Sequence, residues 1–341
     1  MKKWILKKDA ESFDDLVMQE TSIPEPQKGE VRVKVYAVSL NYRDIAMAQG
    51  GMGLRLLRDI IPACDGAGEI DAVGEGVEGW NIGDKVISQY YKEWTDGTII
   101  PGLGIGLGSD ESDGMLAEYV ILSAGQIIRA PNSLTYSEAS TLPCAGLTVW
   151  SALNGNRPYL TPLKKNEKVL VLGTGNIAIM TISIAKGLGA EVYCTTSRDS
   201  KIETLKSMGV KEVVNYKKHS NWGEILFNMT GGIELVVNSA GAASLNESFK
   251  ALSYGGRMAL VGAMDVTDRL PELLFMIYKN LTMYGVLAGS TAAFKDLNSF
   301  MDTQEVKPYI YKTYGFEDVK KAYRVASSGE ALGKVVIELN Q

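Results

Sequence analysis

Hydrophobic and polar residues alternate along this chain at two different periods, and the change of period divides it. From residue 30 to 40, EVRVKVYAVSL sets Val31, Val33, Val35 and Ala37 against Arg32, Lys34 and Tyr36. A period of two belongs to a strand with one face buried. Short strands broken by glycine follow in GAGEIDAVGEGV, GDKVISQY and GMLAEYVIL, a pattern that predicts a small barrel or sandwich. Between Tyr90 and Gly114 the pattern lapses into a polar, glycine-rich loop, long enough to mark a functional or flexible segment. Near residue 137 the period changes. SEASTLPCAGLTVWSAL predicts a helix with Ser137 as its N-cap. Strand and helix then alternate: KVLVLG, EVYCTT, KEVVNY, IELVVNSAG, RMALVG and LTMYGVL are the strands, with NIAIMTISIAKGLG and DSKIETLKSMG among the helices. The first, fourth and fifth strands are almost wholly apolar, as strands covered on both faces must be. This predicts a doubly wound parallel sheet. The rhythm ends near residue 290, and FEDVKKAYRVASSGEALGKVVIEL closes the chain as a helix and a strand. No repeat of solenoid length is present in the sequence.

One stretch of the alternating half carries recognisable chemistry. Gly173-Thr174-Gly175-Asn176-Ile177-Ala178 follows a buried strand and opens a helix. This is G-x-G-x-x-A in the setting of a dinucleotide fingerprint. Gly173 allows the tight turn, Gly175 admits a pyrophosphate to the backbone, and Ala178 keeps the helix close to the sheet. The helix N-terminus offers free N–H groups to phosphate. Glycines alone would describe only a tight turn; the surrounding βα units favour the cofactor. An NAD site places Asp or Glu about 20 residues further on, to hold the ribose. Here the second strand ends in YCTTSRDSK, with Ser197, Arg198 and Lys201. These attract a 2′-phosphate, and two charge-assisted hydrogen bonds of about 1.5–3 kcal/mol each would favour NADPH. Asp199 is expected at the N-cap of the next helix. A solvated basic surface is the plainer account of the same residues.

Composition narrows the class. A chain of 341 residues exceeds one comfortable core, so two domains are expected. Lys and Arg number 35 against 40 Asp and Glu, a net charge of −5, which argues against nucleic acid or an acidic membrane as partner. No apolar run is long enough to span a bilayer, and MKKWILKKDAESF is too quickly charged for a secretory signal. The three cysteines, Cys64, Cys144 and Cys194, are widely spaced, which fits a reduced, cytoplasmic protein. No second cysteine stands near Cys64 in sequence, so a redox role is not expected of it. The single histidine, His219, lies in a polar run and reads as a solvated loop or helix-start residue.

Over essentially its whole length the chain resembles the medium-chain dehydrogenase/reductase superfamily. The blocks that carry the resemblance are AVSLNYRD, IPACDGAGEIDAVGEGVEGWNIGDKV, GMLAEYV, TLPCAGLTVWSAL and VLVLGTGNIA…IAKGLGAEV. The resemblance implies an α/β fold: a GroES-like β-barrel catalytic domain (1–125 and 290–341) plus a Rossmann doubly wound parallel sheet (126–289). In the zinc alcohol dehydrogenases the first block holds a Cys-His pair and the second reads G-H-E-G-A-G. Those positions here are Asn41, Tyr42, Cys64 and Asp65, and the third ligand keeps its type as Cys144. The segment matching the structural-zinc lobe, residues 90–114, has no cysteine. The resemblance is therefore to the zinc-independent branch, the quinone oxidoreductases and alcohol dehydrogenase-like proteins, and no metal is expected. Cys64, Asp65 and Cys144 would still suit zinc if they converged.

What this implies is hydride transfer from NADPH to a quinone, an enone or an aldehyde. Asn41 and Tyr42 are the candidate donors to the oxyanion, and Thr148 positions the cofactor ribose. Asn41 would otherwise be a strand-end cap and Tyr42 a packing residue; Asp44 is expected to order Arg43 or the backbone. Tyr90, Tyr91 and Trp94 begin the loop in which the family builds its substrate cleft. Further cofactor contacts implied are Tyr216, Asn238, Ser239 and Gly262 at strand ends, and Leu287, Ala288 and Gly289 along the nicotinamide. The resemblance also implies a homodimer joined through the sheet edge at RMALVG and LTMYGV. Two other readings stay open: an alcohol dehydrogenase or carbonyl reductase with a residual zinc site, and a non-catalytic NADPH-binding protein.

Overall fold

A computed structural model describes residues 1–51, 56–262, 267 and 270–339. β1 (Lys2–Ile5) and β2 (Val17–Glu20) form an antiparallel pair. In β3 (Glu30–Ser39) the alternation of the sequence becomes alternation of burial, with Val31, Val33, Val35 and Ala37 inside. α1 (Tyr42–Ala48) follows Asn41, which occupies its N-cap. Then come β4 (Asp65–Val73), β5 (Lys85–Ser88), β6 (Tyr119–Ser123) and β7 (Ile127–Arg129). Residues 90–114 hold no helix and no strand.

The long helix expected around residue 137 is broken. α2 (Tyr136–Ala139) is capped by Thr135, whose Oγ1 accepts from the Glu138 N–H at 3.2 Å. Ser137 lies inside it, and its hydroxyl is given to Glu338 instead. Pro143 lacks an N–H to continue an α-helix, and Leu142–Gly146 form a wider π-turn before α3 (Leu147–Asn154) resumes.

The alternating half runs β8 (Lys168–Val171), α4 (Asn176–Gly187), β9 (Glu191–Thr196), α5 (Ile202–Ser207), β10 (Glu212–Asn215), α6 (Trp222–Thr230), β11 (Ile233–Asn238), α7 (Leu245–Ala251), β12 (Leu252–Leu260), α8 (Leu274–Tyr278) and β13 (Thr282–Gly285). Its sheet has the order β10-β9-β8-β11-β12-β13, every pair parallel. The order reverses at β8, and the crevice beyond such a reversal is where open α/β sheets bind ligands. On one face Leu170, Val236 and Met258 pack with Trp222, Leu226 and Phe249; burying each such side chain contributes about 1.5–3 kcal/mol.

The chain returns through α9 (Thr291–Thr303), capped by Ser290, then β14 (Ile310–Gly315), α10 (Val319–Ser327) and β15 (Lys334–Glu338). β15 joins the first sheet, whose order is β14-β15-β3-β4-β5-β7, with β6 also on β3. Two units result: Met1–Leu147 with Ser290–Gln341, and Thr148–Gly289. In the first unit β7 pairs with β5 and α2 packs on β3 and β4. Among the described residues no helix is long and apolar enough to cross a membrane.

Candidate functional site

In the first unit the site is a product of strand register. Ser39, at the end of β3, stands opposite Asp65 of β4 on one side and Val336 of β15 on the other. The residues just beyond, Leu40 and Asn41, therefore meet Asp65 and Lys334. Lys334 is 1% exposed. Its ammonium donates to Asn41 Oδ1 at 2.7 Å, Leu40 O at 3.2 Å and Asp65 Oδ2 at 3.3 Å, one partner for each of its protons. Lysine only donates, so it fixes the orientation of the Asn41 amide. The carbonyl turns to Lys334, and Nδ2 lies 3.5 Å from Cys64 Sγ.

Cys64 is fully buried, and its thiol donates to Asp65 Oδ1 at 3.1 Å. Burial above all, then Cys144 and the nearby Asp44 and Asp65 carboxylates, push this thiol well above its ordinary value. Cys144, in the π-turn, is half-buried. The donor atoms of Cys64, Asp65 and Cys144 all lie within 4.8 Å of one another, compatible with zinc–donor distances of about 2.0–2.3 Å. Type and spacing thus fit a three-ligand zinc, which would act there as a Lewis acid on an acceptor oxygen. Two features weigh the other way. The Asp65 carboxylate is already neutralised by Lys334, and the Cys64 proton is bonded to that same carboxylate.

Asp44 accepts from the Asn41 N–H at 2.9 Å and pairs with Arg43 at 3.1 Å, so it orders both, as expected. Burial raises its pKa against the pull of Arg43. Arg43 also donates to Leu107 O at 2.9 Å and Ile105 O at 3.2 Å, and lies over the Tyr90 ring. It thereby pins the glycine-rich loop. Tyr90 meets Tyr91 edge-on at 4.5 Å, and Tyr91 tilts toward Trp94 at 6.4 Å. All three rings are buried, and burial pushes the Tyr91 phenol up to about 12. Tyr42 is 49% exposed, which removes the core-packing account of it.

In the second unit the glycine turn sits directly after β8. Gly173 has φ +77°, a conformation costly for other residues, and a side chain added at Gly175 would meet nothing within 4 Å. Gly175 is the N-cap of α4 and carries no capping side chain, leaving first-turn N–H groups for a ligand. Thr174, Asn176 and Ile177 complete the turn, and buried Ala178 holds the helix on the sheet. Gly173 N donates to Thr195 Oγ1 at 3.2 Å. Lys201 is only 9% exposed and its ammonium lies 2.9 Å from Thr174 Oγ1, directly over the turn. Ser197 is half-buried and Arg198 exposed.

Asp199 is not the cap expected of it. It opens a 3-10 turn, Asp199–Lys201, whose N-cap is Arg198, and Lys201 is the N-cap of α5; the Asp199 carboxylate is turned to Lys218 and to Asn215 Nδ2 at 2.6 Å. These two hold its pKa below the usual range. His219 is exposed in the turn that follows.

The remaining expected contacts divide. Tyr216 is 40% exposed at the end of β10. Asn238 is fully buried and accepts from Ala240 and Gly241 N–H groups, so its side chain closes a turn. Ser239 donates to Leu172 O at 3.0 Å. A Cβ on Gly262 would fall 2.0 Å from Ser239 O, so the close approach of β11 and β12 requires glycine by itself. Leu287 is half-exposed, while Ala288, with φ +43°, and Gly289 are buried. Thr148 is buried in the first turn of α3. Lys334 was not singled out from the sequence; its one signal there is a lysine heading the apolar strand GKVVIEL.

Two protein families match the chain: "Alcohol dehydrogenase GroES-like domain" over residues 27–132 and "Zinc-binding dehydrogenase" over residues 176–303. A zinc-type alcohol dehydrogenase-like protein of Schizosaccharomyces pombe is 32% identical over 345 residues, with 99% of each chain covered. An acryloyl-coenzyme A reductase of Sulfurisphaera tokodaii is 28% identical, covering 94% of this chain and 96% of its own. A solved structure from Sinorhizobium meliloti 1021, provisionally described as an alcohol dehydrogenase, superposes with a TM-score of 0.89. It shares 35% identity, over 99% of each chain.

Proposed function

This chain belongs to the medium-chain dehydrogenase/reductase superfamily, and from that premise we propose that it is an NADPH-dependent reductase of quinones, enones or aldehydes that works without zinc. The family is one of oxidoreductases that bind a nicotinamide cofactor, and the bound dinucleotide supplies the hydride. The preference for NADPH is argued from Lys201, held over the glycine turn, and from Asp199, which faces Lys218 and Asn215 rather than a ribose.

The observation that carries metal-free chemistry is the Lys334–Asn41 contact. As negative charge develops on an acceptor oxygen, a preorganised N–H donor stabilises it without reorganising. Asn41, whose carbonyl is taken by Lys334 and whose Nδ2 lies beside Cys64 Sγ, would be that donor, and the fixed charge of Lys334 behind it strengthens the N–H. Tyr42, exposed beside it, is a second donor, and Thr148 orients the cofactor ribose. The second reading, an alcohol dehydrogenase with a zinc on Cys64, Asp65 and Cys144, has their convergence in its favour.

One experiment separates the two. Chelator-treated protein is given NADPH and a 2-alkenal, and the product is identified. A saturated aldehyde, with turnover retained after metal removal, is the expected outcome. An allylic alcohol formed only when zinc is restored would overturn the proposal in favour of the second reading.

A further inference from the structure

We propose that Cys64 and Cys144 are a redox pair that closes reversibly to a disulfide when the protein meets a hydroperoxide. The two thiols are remote in sequence, yet register and the π-turn bring their sulfurs within 4.8 Å. Rotation of the side chains has to close that gap to about 2.05 Å. The asymmetry of the pair suits stepwise oxidation. Cys144 is half-buried and within reach of a small oxidant, while Cys64 is wholly enclosed with Cys144 beside it. The expectation that Cys64 lacks a resolving partner holds along the chain and fails in space. The hydride-transfer chemistry proposed above uses neither sulfur, so this inference does not rest on it.

Cys144 Sγ attacks the hydroperoxide; the O–O bond breaks, the departing oxygen leaves as water or alcohol with the Cys144 proton, and the sulfur becomes a sulfenic acid. Cys64 Sγ then attacks Cys144 Sγ. The S–S bond forms, the S–O bond breaks, and the departing hydroxide leaves as water with the Cys64 proton. Two thiols are oxidised, one hydroperoxide is reduced, and no other reagent is needed. Closure withdraws Cys64 Sγ from Asn41 Nδ2 and from Asp65, and it consumes two of the three donors a metal would use.

The test uses the full chain and does not read turnover. The protein is treated with hydrogen peroxide, alkylated under non-reducing denaturing conditions, and analysed by intact mass and peptide mapping. The expected result is a chain carrying one alkyl group instead of three and lying about 2 Da below the mass of a singly alkylated reduced chain, one linked peptide pair containing Cys64 and Cys144, and Cys194 alkylated. Cys194 is buried in the other unit, its thiol pushed up to about 12 by burial, and serves as an internal control. Dithiothreitol should restore three alkylatable thiols. Free Cys64 and Cys144 after treatment, or a doubly oxygenated Cys144 beside a free Cys64, would overturn the proposal. Cys64→Ser checks the order of events. Cys144 should then stop at a dimedone-trappable sulfenic acid, a gain of about 16 Da, and an unoxidised Cys144 would overturn the first step.

Discussion

At Asn41 an amide has two ends, and only one can serve an oxyanion. Lys334 takes the carbonyl at 2.7 Å, which leaves the Nδ2 end to donate, toward Cys64 Sγ. If this donor stabilises the reaction, Asn41→Ala should lower turnover by about 10- to 100-fold while NADPH binding, measured by fluorescence titration, stays unchanged. Near wild-type turnover would remove Asn41 from the chemistry. Lys334→Met should act differently. It leaves the Asp65 carboxylate buried without its cation, a loss of about 3–5 kcal/mol in urea unfolding, and Lys334→Arg should recover part of it. Asn41, Cys64, Asp65 and Cys144 could all be picked out of the sequence, because each occupies a position matched by a zinc ligand or its neighbour in the resembling family. Lys334 could not, since its partner Asn41 is 293 positions away and only the pairing of β15 with β3 brings them together. Tyr42 shows the opposite limit. An aromatic beside a strand end reads as packing, and nothing in the local pattern says that it stays half outside.

At the scale of the element, the ends of β8, β9 and β10 decide which cofactor is held. The glycine turn was legible because its chemistry is local: strand, Gly173, Gly175 and helix are contiguous. Asp199 was misplaced for the same reason. Local rules favour a carboxylate at a helix N-cap, but two partners on and after β10, Asn215 and Lys218, compete for it and win. Its lowered pKa keeps this pairing ionised above the ordinary carboxylate range, and the pairing is lost only as pH falls through that lowered value. With Asp199 so engaged, Lys201 brings its charge to the turn, 2.9 Å from Thr174 Oγ1. Removing one charge-assisted hydrogen bond costs about 1.5–3 kcal/mol. Lys201→Ala should therefore weaken NADPH by about 10- to 100-fold while leaving NADH within twofold of wild type, read by calorimetry with each cofactor. Equal weakening of both would mean that Lys201 supports the turn rather than a 2′-phosphate.

At the scale of the whole molecule, the feature still to be accounted for is the far edge of the parallel sheet. Among the described residues β13 ends the strand order, so one side of its backbone faces no described strand of its sheet. Beside it α8 presents Leu274, Ile277 and Tyr278 at more than 70% exposure, with Leu273, Tyr254 and Met283 also exposed. An open edge near exposed apolar side chains is costly to leave in water and invites pairing with another chain. The occupant that requires no other molecule is a second copy. Two such edges related by a twofold axis would place identical residues against each other, as a closed dimer requires. Of the two segments expected at that edge, LTMYGV includes β13 and lies there, whereas RMALVG falls largely in β12, which is paired on both sides and is not an edge; α8 is not singled out by the sequence. α8 was missed because a short apolar run with no polar face reads as core. Ile277→Asp tests the assignment: a charge at the centre of the proposed contact should be tolerated in the monomer, whose Ile277 is exposed, and rejected in the dimer. Sedimentation velocity should show the wild-type chain as a dimer and the variant as a folded monomer. A monomeric wild type, or a variant that still sediments as a dimer, would place the interface elsewhere.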